Sequence, residues 1–172
     1  MAYWLLPAEP HREVLQRLIR DLARTFDAPE FQAHVTLLTV PEKARLPREV
    51  LARIPKPDVT LTTCGLGWCR KFTKTLFVNF EKTPELIDVI ESIGRLSGVE
   101  KPAEIDPHLS LLYKTLPEEK QRRLAETTLI PFGNVRFNSI CAMRCMSPTK
   151  TEEDVRHWQL MAAQNSTIRK GK

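Results

Sequence analysis

The chain has 172 residues, 42% hydrophobic and 27% charged, the profile of one soluble globular domain or of two small lobes sharing a core. No charge-free run approaches the roughly 18 apolar residues of a membrane span, and the opening Met-Ala-Tyr-Trp-Leu-Leu-Pro-Ala-Glu has no basic leader, so no membrane partner and a cytoplasmic location are expected. The formal charge of +5 suits anionic ligands, although part of it lies in Arg169-Lys170-Gly171-Lys172 and on helix faces.

Tyr3 to Leu6 reads as a short strand closed by Pro7. From Pro10 to Phe26, Val14, Leu15, Leu18, Ile19 and Leu22 recur at the three-to-four spacing of one apolar helical face. His34 to Val40 is rich in leucine and β-branched residues and ends at Pro41, which predicts a strand. A short helix at Pro47 to Ile54 precedes strands at Val59 to Trp68 and Thr75 to Phe80, joined by the basic turn Cys69-Arg70-Lys71-Phe72-Thr73-Lys74. A helix over Pro84 to Leu96, ended by Gly98, leads through Asp106-Pro107 to a strand at His108 to Tyr113. A helix from Pro117 to Leu129 and strands at Gly133 to Met143 and Asp154 to Ala162 complete the order.

That order occurs twice. Strand, helix, His-strand, short helix, strand runs from Trp4 and again from Val78. His34 lies 30 residues after Trp4, as His108 does after Val78; Thr60 follows His34 by 26 residues, as Asn134 follows His108. The equivalent positions are therefore 74 residues apart. An internal duplication accounts for this spacing, and two lobes about an approximate two-fold axis would bring the two histidines across one cleft.

The cysteines fall as Cys64/Cys69 and Cys141/Cys145, wider than a Cys-x-x-Cys zinc knuckle and without a histidine close by. Free, partly buried thiols are expected, with a disulfide as the alternative, and no metal or other cofactor is expected. Asn165-Ser166-Thr167 matches a glycosylation acceptor, which carries little weight without a secretion signal.

The chemistry concentrates in His34-Val35-Thr36-Leu37-Leu38 and His108-Leu109-Ser110-Leu111-Leu112-Tyr113. Strand side chains alternate, so His34 shares a face with Thr36 and His108 with Ser110, while Val35, Leu37, Leu109 and Leu111 face a core. Each motif presents an imidazole and a hydroxyl. Two imidazoles can take a proton from water and give one to a departing sugar oxygen near neutral pH. Hydroxyls supply donors to the charge that grows on the phosphoryl oxygens. One such motif is weak evidence, because a lone strand histidine is more often a core or edge residue. Two in equivalent places are much stronger. His11 and His157 lack this context and read as a helix-entry surface residue and an ordinary strand residue.

The doubled His-x-Thr/Ser pattern, together with Tyr3-Trp4-Leu5-Leu6-Pro7, resembles the 2H phosphoesterase superfamily, in particular the plant and yeast cyclic nucleotide phosphodiesterases. The resemblance spans nearly the whole chain in motif order. It implies an α+β fold, bilobal and duplicated, with antiparallel sheets lining a central cleft and helices packed outside, residues 1–172 forming one domain. It implies His34 and His108 as the acid/base pair, Thr36 and Ser110 as phosphate ligands, and Trp4 and Tyr113 as aromatic residues flanking the substrate. We assign His108 to the base and His34 to the acid, although near-symmetry leaves the two interchangeable. The implied substrates are ADP-ribose 1″,2″-cyclic phosphate and nucleoside 2′,3′-cyclic phosphates, opened without metal, the nucleoside product keeping its 2′-phosphate.

Strict alternation conflicts with one of these roles, since it turns Tyr113 away from His108; either the strand bends after Leu112 or Tyr113 is core. Trp4 is open to the same packing alternative. Arg70, Lys71 and Lys74 either border the site or form a solvated hairpin. Two other functions remain open: a 2′-5′ RNA ligase-like enzyme acting on RNA 3′ ends, and a non-catalytic nucleotide- or RNA-binding module. The expected partner is a small cyclic phosphate, and the expected state is a monomer.

Overall fold

The computed structural model describes residues 1–42, 44–99 and 105–164. Its elements are β1 (Ala2–Pro7), α1 (His11–Phe26), β2 (Val35–Thr39), α2 (Pro47–Arg53), β3 (Val59–Gly67), a single 3-10 turn (Phe72–Lys74), β4 (Leu76–Phe80), α3 (Pro84–Ser97), β5 (His108–Leu112), α4 (Glu118–Thr127), β6 (Asn134–Arg144), α5 (Glu152–Arg156) and β7 (Gln159–Ala163). The basic tail and the Asn165-Ser166-Thr167 sequon lie outside the described residues. None of the helices among the described residues is long and apolar enough to cross a membrane.

One predicted element is corrected. The strand expected over Asp154 to Ala162 begins only at Gln159, because Thr151 and Asp154 form a capping box that starts α5: the Asp154 amide donates to Thr151 Oγ1, and the Thr151 amide donates to Asp154 Oδ2. His157 therefore ends a helix instead of sitting in a strand.

All strand pairings are antiparallel. β1 lies between β2 and β6, and β4 lies between β5 and β3. β2 meets β5, and β3 meets β6, so six strands return on themselves as a closed ring, with β7 added to β6. The fold class is α+β, as expected. Each pairing of β1 or β2 has a counterpart in β4 or β5. The third strand of each half pairs with the first strand of the other half, which laces the halves together.

Helix packing follows the same exchange. α1 rests on β5, and α3 rests on β2. Leu15, Ile19 and Leu22 form the buried stripe of α1; Leu86, Ile90 and Ile93 form that of α3. α3 starts where Thr83 Oγ1 accepts the Leu86 amide, and it stops at Gly98, whose φ of 78° suits glycine. Val35, Leu37, Leu109 and Leu111 of the His-strands are fully buried against these helices. Burial of each such side chain stabilises the fold by about 1.5–3 kcal/mol, so the core anchors both motifs.

The strand ladders contain two matching irregularities. Tyr3 opposes Leu38 and Trp4 opposes Thr36, leaving Leu37 as one extra residue in β2. Leu76 opposes Leu112 and Phe77 opposes Ser110, leaving Leu111 as one extra residue in β5. A one-residue bulge inverts the alternation beyond it. Thr39 and Tyr113 are thereby brought to the faces that carry Thr36 and Ser110. The same registers correct the sequence offset in β1, because the ladder counterpart of Trp4 is Phe77 and not Val78.

Candidate active site

A cavity of about 530 Å³ opens where β2 and β5 meet, and Trp4, His34, Thr36, His108, Ser110 and Tyr113 all line it. All six sequence-predicted site residues are thus brought to one hollow. A second hollow of about 570 Å³, between α2 and β7, is lined by neither a histidine nor a hydroxyl side chain.

The two histidines are held alike. His34 Nδ1 lies 2.6 Å from the carbonyl oxygen of Gln32, and His108 Nδ1 lies 2.7 Å from that of Asp106. A carbonyl only accepts, so each Nδ1 carries the proton and each neutral imidazole keeps a lone pair on Nε2. In both cases the anchor lies two residues upstream, at the entry to the strand.

Their surroundings differ. His34 is buried, with the Trp4 ring stacked on it at 3.7 Å and 12°, and Phe31 and Trp158 edge-on. Burial drives its pKa down to about 4, against the pull of the Gln32 carbonyl, with His108 lowering it further. His108 is only half-buried and meets the edge of Phe77 at 5.4 Å. Burial lowers its pKa as well; the Asp106 carbonyl opposes this, and Lys74 and Lys71 add to it. Lys74 bridges to Asp106 at 3.0 Å and lies over the Phe77 ring. Gly67 makes room for Phe77, since a Cβ there would come within 2.5 Å of that ring.

The hydroxyls are also unequal. Thr36 is exposed, whereas Ser110 is buried and donates to the Thr73 carbonyl at 2.7 Å. Ser110 must turn its proton to reach a ligand; Thr36 need not. Tyr113 lies just past the end of β5 and stacks on Phe31 at 3.7 Å and 10°. Burial raises its phenol pKa, so it is neutral at any ordinary pH. The Leu111 bulge resolves the conflict over its direction: it lines the cavity and packs in the core at once. Trp4 is 2% exposed and spends one ring face on His34.

Sequence reasoning missed part of the wall. Thr39 reaches it through the Leu37 bulge, which no local motif announces. Trp158 and the stretch from Cys145 to Lys150 come from the connection around α5. Trp158 packs edge-on against Trp4 and Tyr113, and its indole N–H is buried without an acceptor among the described residues. The Thr151-x-x-Asp154 cap could have revealed α5, and with it Trp158 as a residue outside the strand. Of the three cations in the basic turn, Lys71 alone lines the cavity; Arg70 pairs with Glu118 and Lys74 with Asp106. The four cysteines are free thiols, and burial pushes Cys145, at the cavity wall, up to about 11. Among the described residues no three His, Cys, Asp or Glu side chains cluster as a metal site would require.

No protein-family model matches the chain. It is 24% identical over 172 aligned residues to a protein of Arabidopsis thaliana named cyclic phosphodiesterase, covering 94% of this chain and 92% of that protein. Escherichia coli LigT in its apo form superposes with a TM-score of 0.56 at 16% identity, over 95% of this chain and 94% of LigT. TT0787 of Thermus thermophilus gives 0.52 at 19% identity, over 95% and 96%. LigT bound to 3′-AMP gives 0.53 at 15% identity, over 95% and 96%. The resemblance read from the motifs thus extends over the length of the chain, and the fold is the one these proteins share.

Proposed function

We propose that this chain, whose fold is that of the 2H phosphoesterases, is a phosphodiesterase that opens ribose cyclic phosphates by two-histidine acid/base catalysis. The observation that carries this reading is the matched pair of imidazoles in one cavity, each with Nδ1 held by a carbonyl and Nε2 left for chemistry. The chain is read as one domain of two related halves, which the equivalent strand pairings support, and its expected state is a monomer.

The deeper burial of His34 favours the opposite assignment of roles to the one read from the sequence. His34, the more depressed of the pair, is the base: its Nε2 takes a proton from water as the water oxygen bonds to phosphorus. His108 is less depressed and accepts the first proton when an anion enters the site. Its Nε2–H then passes that proton to the leaving sugar oxygen as the ring P–O bond breaks. Thr36 and Ser110 donate to the phosphoryl oxygens, while Trp4 fixes the plane of His34. Opening at the 3′ oxygen leaves a 2′-phosphate.

Nucleoside 2′,3′-cyclic phosphates and ADP-ribose 1″,2″-cyclic phosphate are the substrates to assay, with the product isomer identified. Turnover to the 2′- or 1″-phosphate supports the reading. A protein that holds nucleotides but leaves every cyclic phosphate intact is a binding module instead. Faster turnover of an oligomer ending in a cyclic phosphate than of a mononucleotide would place it with enzymes of RNA 3′ ends.

A further inference from the structure

The cavity wall carries an unbalanced charge. Among its lining residues the side chains of Lys71 and Lys150 are cations, as is the Met1 ammonium, which donates to the Val40 carbonyl, and no aspartate or glutamate lines it. Other cations close by are engaged, Lys74 with Asp106, Arg70 with Glu118 and Lys114 with Glu152. Lys71 and Lys150 are exposed, and their ammonium groups have no carboxylate partner among the described residues.

The fold places these two side chains on related connections. Gly67 of β3 opposes Phe77, as Cys141 of β6 opposes Trp4. The chain leaving β3 at Gly67 carries Lys71, and the chain leaving β6 at Arg144, three residues past the equivalent Cys141, carries Lys150, so both connections lead from related strands into the cavity wall. Lys71 stands near enough to His108 to act on its charge. A cyclic phosphodiester brings one negative charge, and both free histidines are neutral near pH 7. Two unpaired ammonium groups therefore exceed what the reacting phosphate can balance, and a cavity of about 530 Å³ has room beyond the cyclic ester.

We infer that Lys71 and Lys150 form a subsite for a second phosphate on the substrate, separate from the cyclic one. That phosphate is the 5′-phosphate of a nucleotide or the 5′ linkage to a preceding residue. The inference rests on the cyclic phosphodiesterase reading, and it adds a preference for substrates that carry this further anion.

Calorimetric binding tests it without requiring turnover. Adenosine 2′-monophosphate and adenosine 2′,5′-bisphosphate are titrated into the wild-type chain and into the Lys71→Met/Lys150→Met double variant. The wild type is expected to bind the bisphosphate about tenfold more tightly, the scale of two solvent-exposed ion pairs. The gap should close in the double variant, and it should narrow as salt screens the lysines. A dinucleotide ending in a 2′-phosphate shows whether an internal linkage fills the subsite as a terminal phosphate does. Equal affinity of the wild type for mono- and bisphosphate overturns the inference, as does a gap that survives in the double variant. A gap that closes in a protein inert toward every cyclic phosphate would overturn the catalytic reading while leaving the subsite standing.

Discussion

The two halves of the ring carry the same motif in different electrical settings. Around His34 the neighbours are rings: Trp4 stacked on its face, with Phe31 and Trp158 at its edges. Around His108 they are charges, Lys74, Asp106 and Lys71, with Phe77 meeting it only by its edge. The backbone treatment is identical, a carbonyl two residues upstream on each Nδ1. Near-symmetry of the scaffold thus sets the geometry of the pair, and the surrounding side chains break the symmetry. In the proposed mechanism the stacked, dry imidazole stays neutral and serves as base, and the one among charges and closer to water keeps a proton once an anion arrives.

The largest expected effect is loss of either imidazole. His34→Ala and His108→Ala should each lower kcat/KM for a cyclic nucleotide by roughly 100- to 10,000-fold, or more if the pair acts as a unit. A near wild-type rate in either variant would end the two-histidine mechanism. To separate the roles, a 4-nitrophenyl phosphodiester, whose leaving group needs no proton, should restore much of the lost rate to His108→Ala and little to His34→Ala. The opposite pattern would return the acid to His34.

Smaller losses test the hydroxyls. Thr36→Val and Ser110→Ala should each cost roughly 10- to 1,000-fold as single donors to the phosphoryl oxygens. The loss at Thr36 should be the larger, because the Ser110 proton is already committed to the Thr73 carbonyl. Steady-state rates of both variants check the order.

Stability should report the burial of His34. Its folded pKa of about 4 lies below the unfolded value of about 6.5, so the unfolded chain binds the proton first as the pH falls. Stability is then lost between about pH 6.5 and 4, by up to roughly 3 kcal/mol, and the contribution is constant above that window. Urea unfolding at neutral and acid pH should show this slope, reduced in His34→Ala. In the free protein, imidazole NMR should find His108 titrating above His34; coincident titrations would remove the distinction between the halves. The smallest effect is expected from EDTA, which should leave the rate unchanged, because in the proposed mechanism the imidazoles themselves move both protons.

Much of this is legible in the chain itself. His34-x-Thr36 and His108-x-Ser110, at equal spacing within repeated elements, mark the site, because period-two alternation and an apolar partner set need no tertiary knowledge. The apolar stripes of α1 and α3 and the stop at Gly98 are equally local. The helix within Asp154 to Ala162 is harder to see, although the Thr151–Asp154 cap announces it; apolar residues at Leu160 to Ala162 outweigh that polar signal. Tyr113 is ambiguous in the sequence because simple alternation makes no allowance for a bulge.

What the sequence by itself determined is the chemistry on offer: two imidazoles, two hydroxyls and the strands that bear them, since residue type and backbone period are properties of short segments. What only the tertiary structure decided is how these groups differ in their surroundings. Desolvation of His34, the charges gathered at His108, the bulges at Leu37 and Leu111, and the arrival of Trp158 and Lys150 at the wall all depend on segments far apart in the chain. Solvent exclusion and Coulomb interactions act through space, and no local pattern encodes them.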